Sequence, residues 1–203
     1  MIAIVDYGLG NLSSVKYALD RIGVESQLTA DPQQILAAKA VILPGVGALG
    51  KAMERMRTLN LIDATIAVAG SGKYLLGICL GHQLLFASSE EHGIHKGLNI
   101  LPGKSVRFAK DLTVPHMGWN QVTQVRQCPL FEGIKDASYF YFAHSYYVLP
   151  DNPALTVGQT EYGVNFTSVV QREAVFGIQF HPEKSGRAGE QMLANFCRLA
   201  GLK

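Results

Sequence analysis

Through its first ninety residues the chain alternates short apolar runs with segments whose apolar residues recur every three or four positions. Ile2 to Asp6, Glu25 to Thr29, Ala40 to Leu43 and Leu75 to Cys79 predict strands. Ser13 to Ile22 predicts a helix, with Val15, Leu19 and Ile22 at helical spacing and Gly23 as its stop. Ala48 to Leu59, Leu61 to Ala69 and Leu80 to Ala87 predict three more. Strands that alternate with helices imply an α/β fold with a parallel sheet covered on both faces.

After Gly103 the pattern changes to β-branched and aromatic runs: Ser105 to Phe108, Gln121 to Val125, Tyr139 to Leu149, Ala154 to Thr160, Asn165 to Gln171 and Ala174 to Phe180. The last two, joined across Arg172 and Glu173, predict a hairpin. Arg187 to Leu199 turns helical again. The expected architecture is a mostly parallel sheet flanked by helices, with an added mixed or antiparallel section. Residues 1–203 lie within the size of one such domain, and a chain this long buries roughly 70% of its unfolded surface.

Charge and cysteine usage narrow the partners. The net charge is +2, and the 18 Lys and Arg are scattered without a basic block, so neither nucleic acid nor a membrane surface is expected. No run of about 18 apolar residues suggests a membrane span, and Met1 to Asp6 lacks the basic start of a signal sequence. Cys79, Cys128 and Cys197 are too widely spaced for a zinc site or a disulfide framework, which fits a cytoplasmic protein.

Cys79 stands between Gly77 and Gly81, with an apolar strand before it and a helix after it. That is the form of a nucleophile elbow, in which glycines permit the sharp turn that lifts a nucleophile above the sheet. The competing reading is a buried core thiol. A thiolate at a helix N-terminus is favoured electrostatically, and it needs a base. Of six histidines, His181 is best placed: Pro182 drives it toward extended geometry, and Glu183 follows two residues on, the spacing that lets a carboxylate orient an imidazole. Pro44, Gly45, Val46 and Gly47 end the strand expected beside the elbow. Glycines there let backbone N–H groups, together with that of Leu80, approach a developing oxyanion. Gln83, four residues past Cys79, lies one helical turn away, within reach of a pocket rim.

One rival signal is present. Gly8, Gly10 and Asp31 imitate a dinucleotide-binding fingerprint, although Ser13 replaces its third glycine.

The chain order of Pro44-Gly-Val-Gly47, Gly77-Ile-Cys-Leu-Gly-His-Gln83 and His181-Pro-Glu183 resembles the class I (triad) glutamine amidotransferases over essentially the whole chain. Those proteins have a flavodoxin-like fold. Ile4 to Val15, Leu43 to Ala48 and Pro115-His-Met-Gly-Trp-Asn120 are similar to the branch whose members supply ammonia to a (βα)8-barrel cyclase in histidine biosynthesis. His82 departs from that branch, which usually has methionine there. The alternatives are another amidotransferase subunit or a free-standing glutaminase and, from a different class, a dinucleotide-binding or silent interaction module.

The resemblance implies a Cys79–His181–Glu183 triad that hydrolyses glutamine to glutamate and ammonia, with no metal or organic cofactor. It implies glutamine contacts from Gly45, Gly47, Leu80, Gln83, Ser145 and Tyr146. It also places Trp119, Tyr141 and Lys184 near a face that docks the cyclase. Asn11, at the end of the first strand, is expected to hydrogen-bond the glycine loop and face the same partner.

Overall fold

In β1 (Ile2–Val5), Ile2 and Ile4 point to one face and Ala3 and Val5 to the other, and all four are fully buried. β3 (Ala40–Leu43) and, beyond its half-buried first residue Tyr74, β4 (Tyr74–Ile78) behave alike. Ala40, Ile42, Leu76 and Ile78 join the first side, Val41, Leu43 and Leu75 the second. Strands buried on both faces need cover on both. The computed structural model, which describes residues 1–202, shows what provides it. α1 (Leu12–Arg21) and α6 (Gly186–Leu199) pack on one face. α2 (Pro32–Ala37), α3 (Leu49–Thr58), α4 (Leu61–Gly70) and α5 (Leu80–Leu84) pack on the other. Each fully buried Ile or Leu in these layers contributes roughly 1.5–3 kcal/mol.

β2 (Ser26–Thr29), β1, β3, β4 and β13 (Val175–Ile178) lie side by side and parallel. Antiparallel pairing then continues through β12 (Asn165–Arg172), β10 (Tyr146–Pro150) and β7 (Leu101–Arg107). β5 (Phe86–Ser89) and β6 (His95–Lys96) finish that edge. A branch leaves β12 through β11 (Thr156–Glu161), β8 (His116–Gln124) and β9 (Ser138–His144). The parallel block, the added antiparallel section and the β12–β13 hairpin are as the sequence predicts.

Several local details differ. The helix predicted over 80–87 stops at Leu84, and Phe86 to Ser89 form β5, because the apolar run Leu84 to Phe86 satisfies either period. The strand predicted over 139–149 divides at Ser145 into β9 and β10, which pair with different strands. β7 and β8 begin four and five residues earlier than expected. α2 was not expected. Asp31 starts it, its carboxylate accepting from Gln33 N at 2.9 Å with Pro32 in the first turn. The acid that imitated a ribose-binding residue is thus a helix cap.

α1 ends as its Gly23 foretells. Gly23 has φ +75°, Gly23 N donates to Asp20 O and Val24 N to Leu19 O, the paired bonds of a Schellman stop.

Candidate active site

The strand register places the expected triad. Leu43 lies beside Gly77, and Ile78 beside Ile178, so the segments leaving β3, β4 and β13 emerge together at one end of the sheet. Cys79 N donates to the Ile178 carbonyl at 2.8 Å, holding the elbow against the segment that carries His181. Cys79 itself has φ +54° and ψ −107°, a conformation costing on the order of 1–3 kcal/mol in a non-glycine residue. The neighbouring glycines make it possible. A Cβ on Gly77 would lie 2.6 Å from the Gly81 carbonyl oxygen, and one on Gly81 only 1.7 Å from that of Leu43. α5 spans five residues, so the helix dipole expected at the thiol shrinks to the N–H groups of a single turn.

His181 lies beyond β13, where its N–H donates to the Tyr141 carbonyl at 2.9 Å. Its Nδ1 is 2.9 Å from Glu183 Oε1, and both side chains are almost fully buried. The contact arises otherwise than predicted. His181 is extended, but Pro182 to Lys184 form one 3-10 turn that brings the carboxylate back. Burial opposes charge on the imidazole. Hydrogen bonds to Cys79 and Glu183, and their attraction, outweigh it and raise the His181 pKa to about 10.

The oxyanion donors are less ready. Leu80 N–H already donates to the Gly45 carbonyl at 3.3 Å, since a buried N–H takes whatever partner is present. Tyr7 secures the loop from below, its hydroxyl donating to the Pro44 carbonyl at 2.8 Å in space that a Cβ on Gly45 would fill. Gly47, at φ +94°, is exposed at the loop tip. An open oxyanion hole therefore requires the Gly45 carbonyl to leave Leu80 N–H.

A cavity of about 320 Å³, at the small end of ligand sites, opens over Cys79. Gly47, Leu80, Gln83, Ser145 and Tyr146 line it, as expected, while Gly45 lies behind it in a small recess with Asn11, His181 and Glu183. Gln83 Nε2 donates to the Tyr146 carbonyl at 3.0 Å and to Gln179 Oε1 at 3.1 Å. The lining also includes polar residues that were not foreseen, Glu91, which accepts from Leu49 N at 2.8 Å, and His144. Neither has a sequence spacing to Cys79 that signals its place.

Trp119, Tyr141 and Lys184 do come together. The Trp119 and Tyr141 rings meet edge to face at 6.2 Å, and Lys184 Nζ lies 5.7 Å from the Tyr141 centroid. Trp119 is 56% exposed, so it is no core anchor. The hydrogen bond expected from Asn11 to the glycine loop is absent: its side chain bonds to none of the described residues and does not cap α1.

His82 is fully buried, and neither ring nitrogen has a partner among the described residues. Its ring sits edge-on to Phe86, in space left by Gly177. Burial lowers the pKa of His82 to about 3, of His144 to about 3 and of His116 to about 4. The unfolded chain takes up these protons near pH 6.5 and the folded chain refuses them. Stability is therefore fully present above pH 6.5 and falls as pH drops toward the folded values. His181, raised instead, contributes stability that is full below pH 6.5 and lost as pH rises through about 10. His82→Met is expected to gain about 1–3 kcal/mol at pH 7 by removing unpaired polar atoms. The gain should grow by about 1.4 kcal/mol per pH unit between pH 6 and 4. Urea unfolding at pH 7 and pH 5 checks both; an equal or absent gain at the two pH values contradicts this account of His82.

The elbow cysteine, the His–Glu pair at the neighbouring strand end and the doubly covered parallel sheet together define a glutaminase of the triad kind. The sequence profile described as "Glutamine amidotransferase class-I" matches residues 3–200, and the chain belongs to that family. It is 52% identical over 198 residues to the "Imidazole glycerol phosphate synthase subunit HisH" of Moorella thermoacetica, covering 98% of this chain and 94% of that relative. The protein of the same name from Thermococcus kodakarensis is 52% identical over 206 residues, covering 98% and 100%. Among solved structures, one described as "Crystal structure of glutamine amidotransferase" superposes with a TM-score of 0.78 at 20% identity, over 99% of this chain and 100% of that one. "Structure of PurLQS from Thermotoga maritima" gives 0.78 at 18%, over 98% and 97%. These two show the shared fold.

Proposed function

We propose that this chain is the glutaminase subunit of an imidazole glycerol phosphate synthase. It hydrolyses glutamine to glutamate and ammonia, and the ammonia goes to a cyclase subunit for imidazole glycerol phosphate formation in histidine biosynthesis. The observation that carries the chemistry is Cys79, strained at an elbow whose backbone N–H is tied to the segment carrying His181, an imidazole that Glu183 holds.

Glutamine enters the cavity with its carboxamide over Cys79. Glu91, the one formally charged side chain lining that cavity, suits its ammonium group. The Cys79 sulfur attacks the carboxamide carbon, and the negative charge moves onto its oxygen, toward Leu80 N–H and the Gly45 to Gly47 loop. His181, kept protonated by its neighbours, gives its proton to the departing nitrogen, which leaves as ammonia. The glutamyl thioester that remains is attacked by water. His181 takes the water's proton, glutamate departs and the sulfur is restored. Gln83, Ser145 and Tyr146 position the substrate.

The partner in this reading is a (βα)8-barrel cyclase. It docks on the face where Trp119, Tyr141 and Lys184 gather, with Asn11 nearby beside the triad. That docking frees Leu80 N–H by moving the Gly45 carbonyl. Residues 1–203 act as one domain, in the cytoplasm; no helix among the described residues is long and apolar enough to cross a membrane. Adding the cyclase and its ribonucleotide is expected to raise glutamate release from glutamine. Steady release that neither addition changes would instead favour a free-standing glutaminase.

A further inference from the structure

Gln179 is fully buried directly after β13 and takes no part in the reaction derived above. Because Ile178 sits beside Ile78, the residue after β13 lies beside the residue after β4. Gln179 Nε2 is accordingly 3.8 Å from Cys79 Sγ, while its Oε1 accepts from Gln83 Nε2 at 3.1 Å.

The two ends of an amide are distinguished by their partners. Here the partners form one chain with a single sense. His144 Nδ1 faces the Tyr146 carbonyl at 2.8 Å, which only accepts, so Nδ1 carries the proton of this neutral ring and Nε2 accepts. His116 Nδ1, 3.0 Å from that Nε2, is then the donor, and His116 Nε2 accepts from Asn120 Nδ2 at 3.2 Å. Asn120 is oriented independently: its Nδ2 also donates to the Glu161 carbonyl, and its Oδ1 accepts from Gln121 N. At the other end the Tyr146 carbonyl also accepts from Gln83 Nε2 at 3.0 Å. The second hydrogen of that nitrogen goes to Gln179 Oε1, which turns the Gln179 nitrogen toward the sulfur.

Cys79 Sγ also faces the Ala143 carbonyl at 3.9 Å, a partner that favours the thiol. We propose that Gln179 is a further catalytic residue: its side-chain amide, oriented by Gln83, donates to Cys79 Sγ and stabilises the thiolate that attacks glutamine and departs from the thioester. This deepens the glutaminase reading and rests on it.

The test is the pH profile of Cys79 alkylation by iodoacetamide, read on the Cys79 peptide by mass spectrometry in the full chain. Gln179→Met keeps the length and removes the donor, and Gln179→Glu keeps the shape and replaces the donor with an acceptor. The other ionisable groups around the sulfur are His181, with Glu183 behind it, Tyr7, His144 and, on the cavity wall, Glu91 and Tyr146, and neither variant changes them. The alkylation midpoint is expected to rise by about one pH unit in Gln179→Met and further in Gln179→Glu. With the cyclase present, kcat for glutamine should fall about tenfold while KM stays within about twofold, as for loss of an interaction with the reacting atom. Co-elution of each variant with the cyclase on gel filtration, together with a cooperative urea transition, reports that it is folded and docked. If Gln179→Met does not fold, the isosteric Gln179→Glu alone decides. An alkylation midpoint unchanged in the folded variants overturns the proposal. It leaves the glutaminase reading standing if Cys79→Ala still loses glutamine turnover; a Cys79→Ala protein that keeps it overturns that reading instead.

Discussion

Cys79→Ala is expected to lower glutamine-supported synthesis by at least about 10⁴-fold while leaving ammonium-supported synthesis by the complex within about twofold. The two routes differ only in the origin of the nitrogen. Without the sulfur no acyl intermediate forms, and His181 with Glu183 has nothing to protonate or hydrolyse. The scaffold, however, survives: the side chain is buried to 95%, but trimming one sulfur atom costs only on the order of 1 kcal/mol of packing. Removing a residue in a strained left-handed conformation for one with a similar backbone leaves that strain unchanged. Equal loss on both routes would make Cys79 a structural thiol, the reading that a cysteine between two apolar runs invites.

Gly81→Ala is expected to damage the same site through the backbone. The added Cβ would stand 1.7 Å from the Leu43 carbonyl oxygen and 2.7 Å from its carbon, and backbone atoms at the end of β3 have nowhere to retreat without moving Pro44 and the glycine loop. The expected cost is about 2–4 kcal/mol of stability, at or above the usual range for overpacking. Glutamine turnover should fall at least about 100-fold, because a displacement near 1 Å at the elbow is enough for that. Gly70→Ala is the matched control. It also lies at a helix end, but nothing stands within 4 Å of its added Cβ, so it should leave turnover unchanged and stability equal or up to about 1 kcal/mol higher. Urea unfolding and the glutamine-to-glutamate rate, measured on both variants, check the pair of expectations. Wild-type behaviour in Gly81→Ala would mean that the close approach of elbow and glycine loop is dispensable.

Much of this site was legible because covalent neighbours carry it. Gly77, Cys79 and Gly81 announce a turn, and His181, Pro182 and Glu183 announce an oriented imidazole, each within a few residues. The strands were legible where they are buried on both faces, as Ile2 to Val5 and Ala40 to Leu43 show. Ambiguity entered at Leu84 to Phe86, where an apolar run suits helix and strand alike and the pairing of β5 with β7 decides. Gln179, Glu91 and His144 were illegible for a different reason. Their places depend on register across the sheet and on loops folding over Cys79, which no local spacing encodes. The occupied Leu80 N–H belongs to the same class, since a motif names a donor without saying what it is bonded to.

A glutamyl thioester on Cys79 is the species that a structural role for this cysteine cannot produce. Acid quenching of the complex with its cyclase during glutamine turnover, followed by mass spectrometry of the Cys79 peptide, measures it directly. The wild-type chain should give a glutamyl adduct at Cys79 that hydroxylamine removes and that Cys79→Ala lacks. Turnover with no adduct at Cys79, or with the adduct on another residue, would contradict glutamine hydrolysis through this elbow.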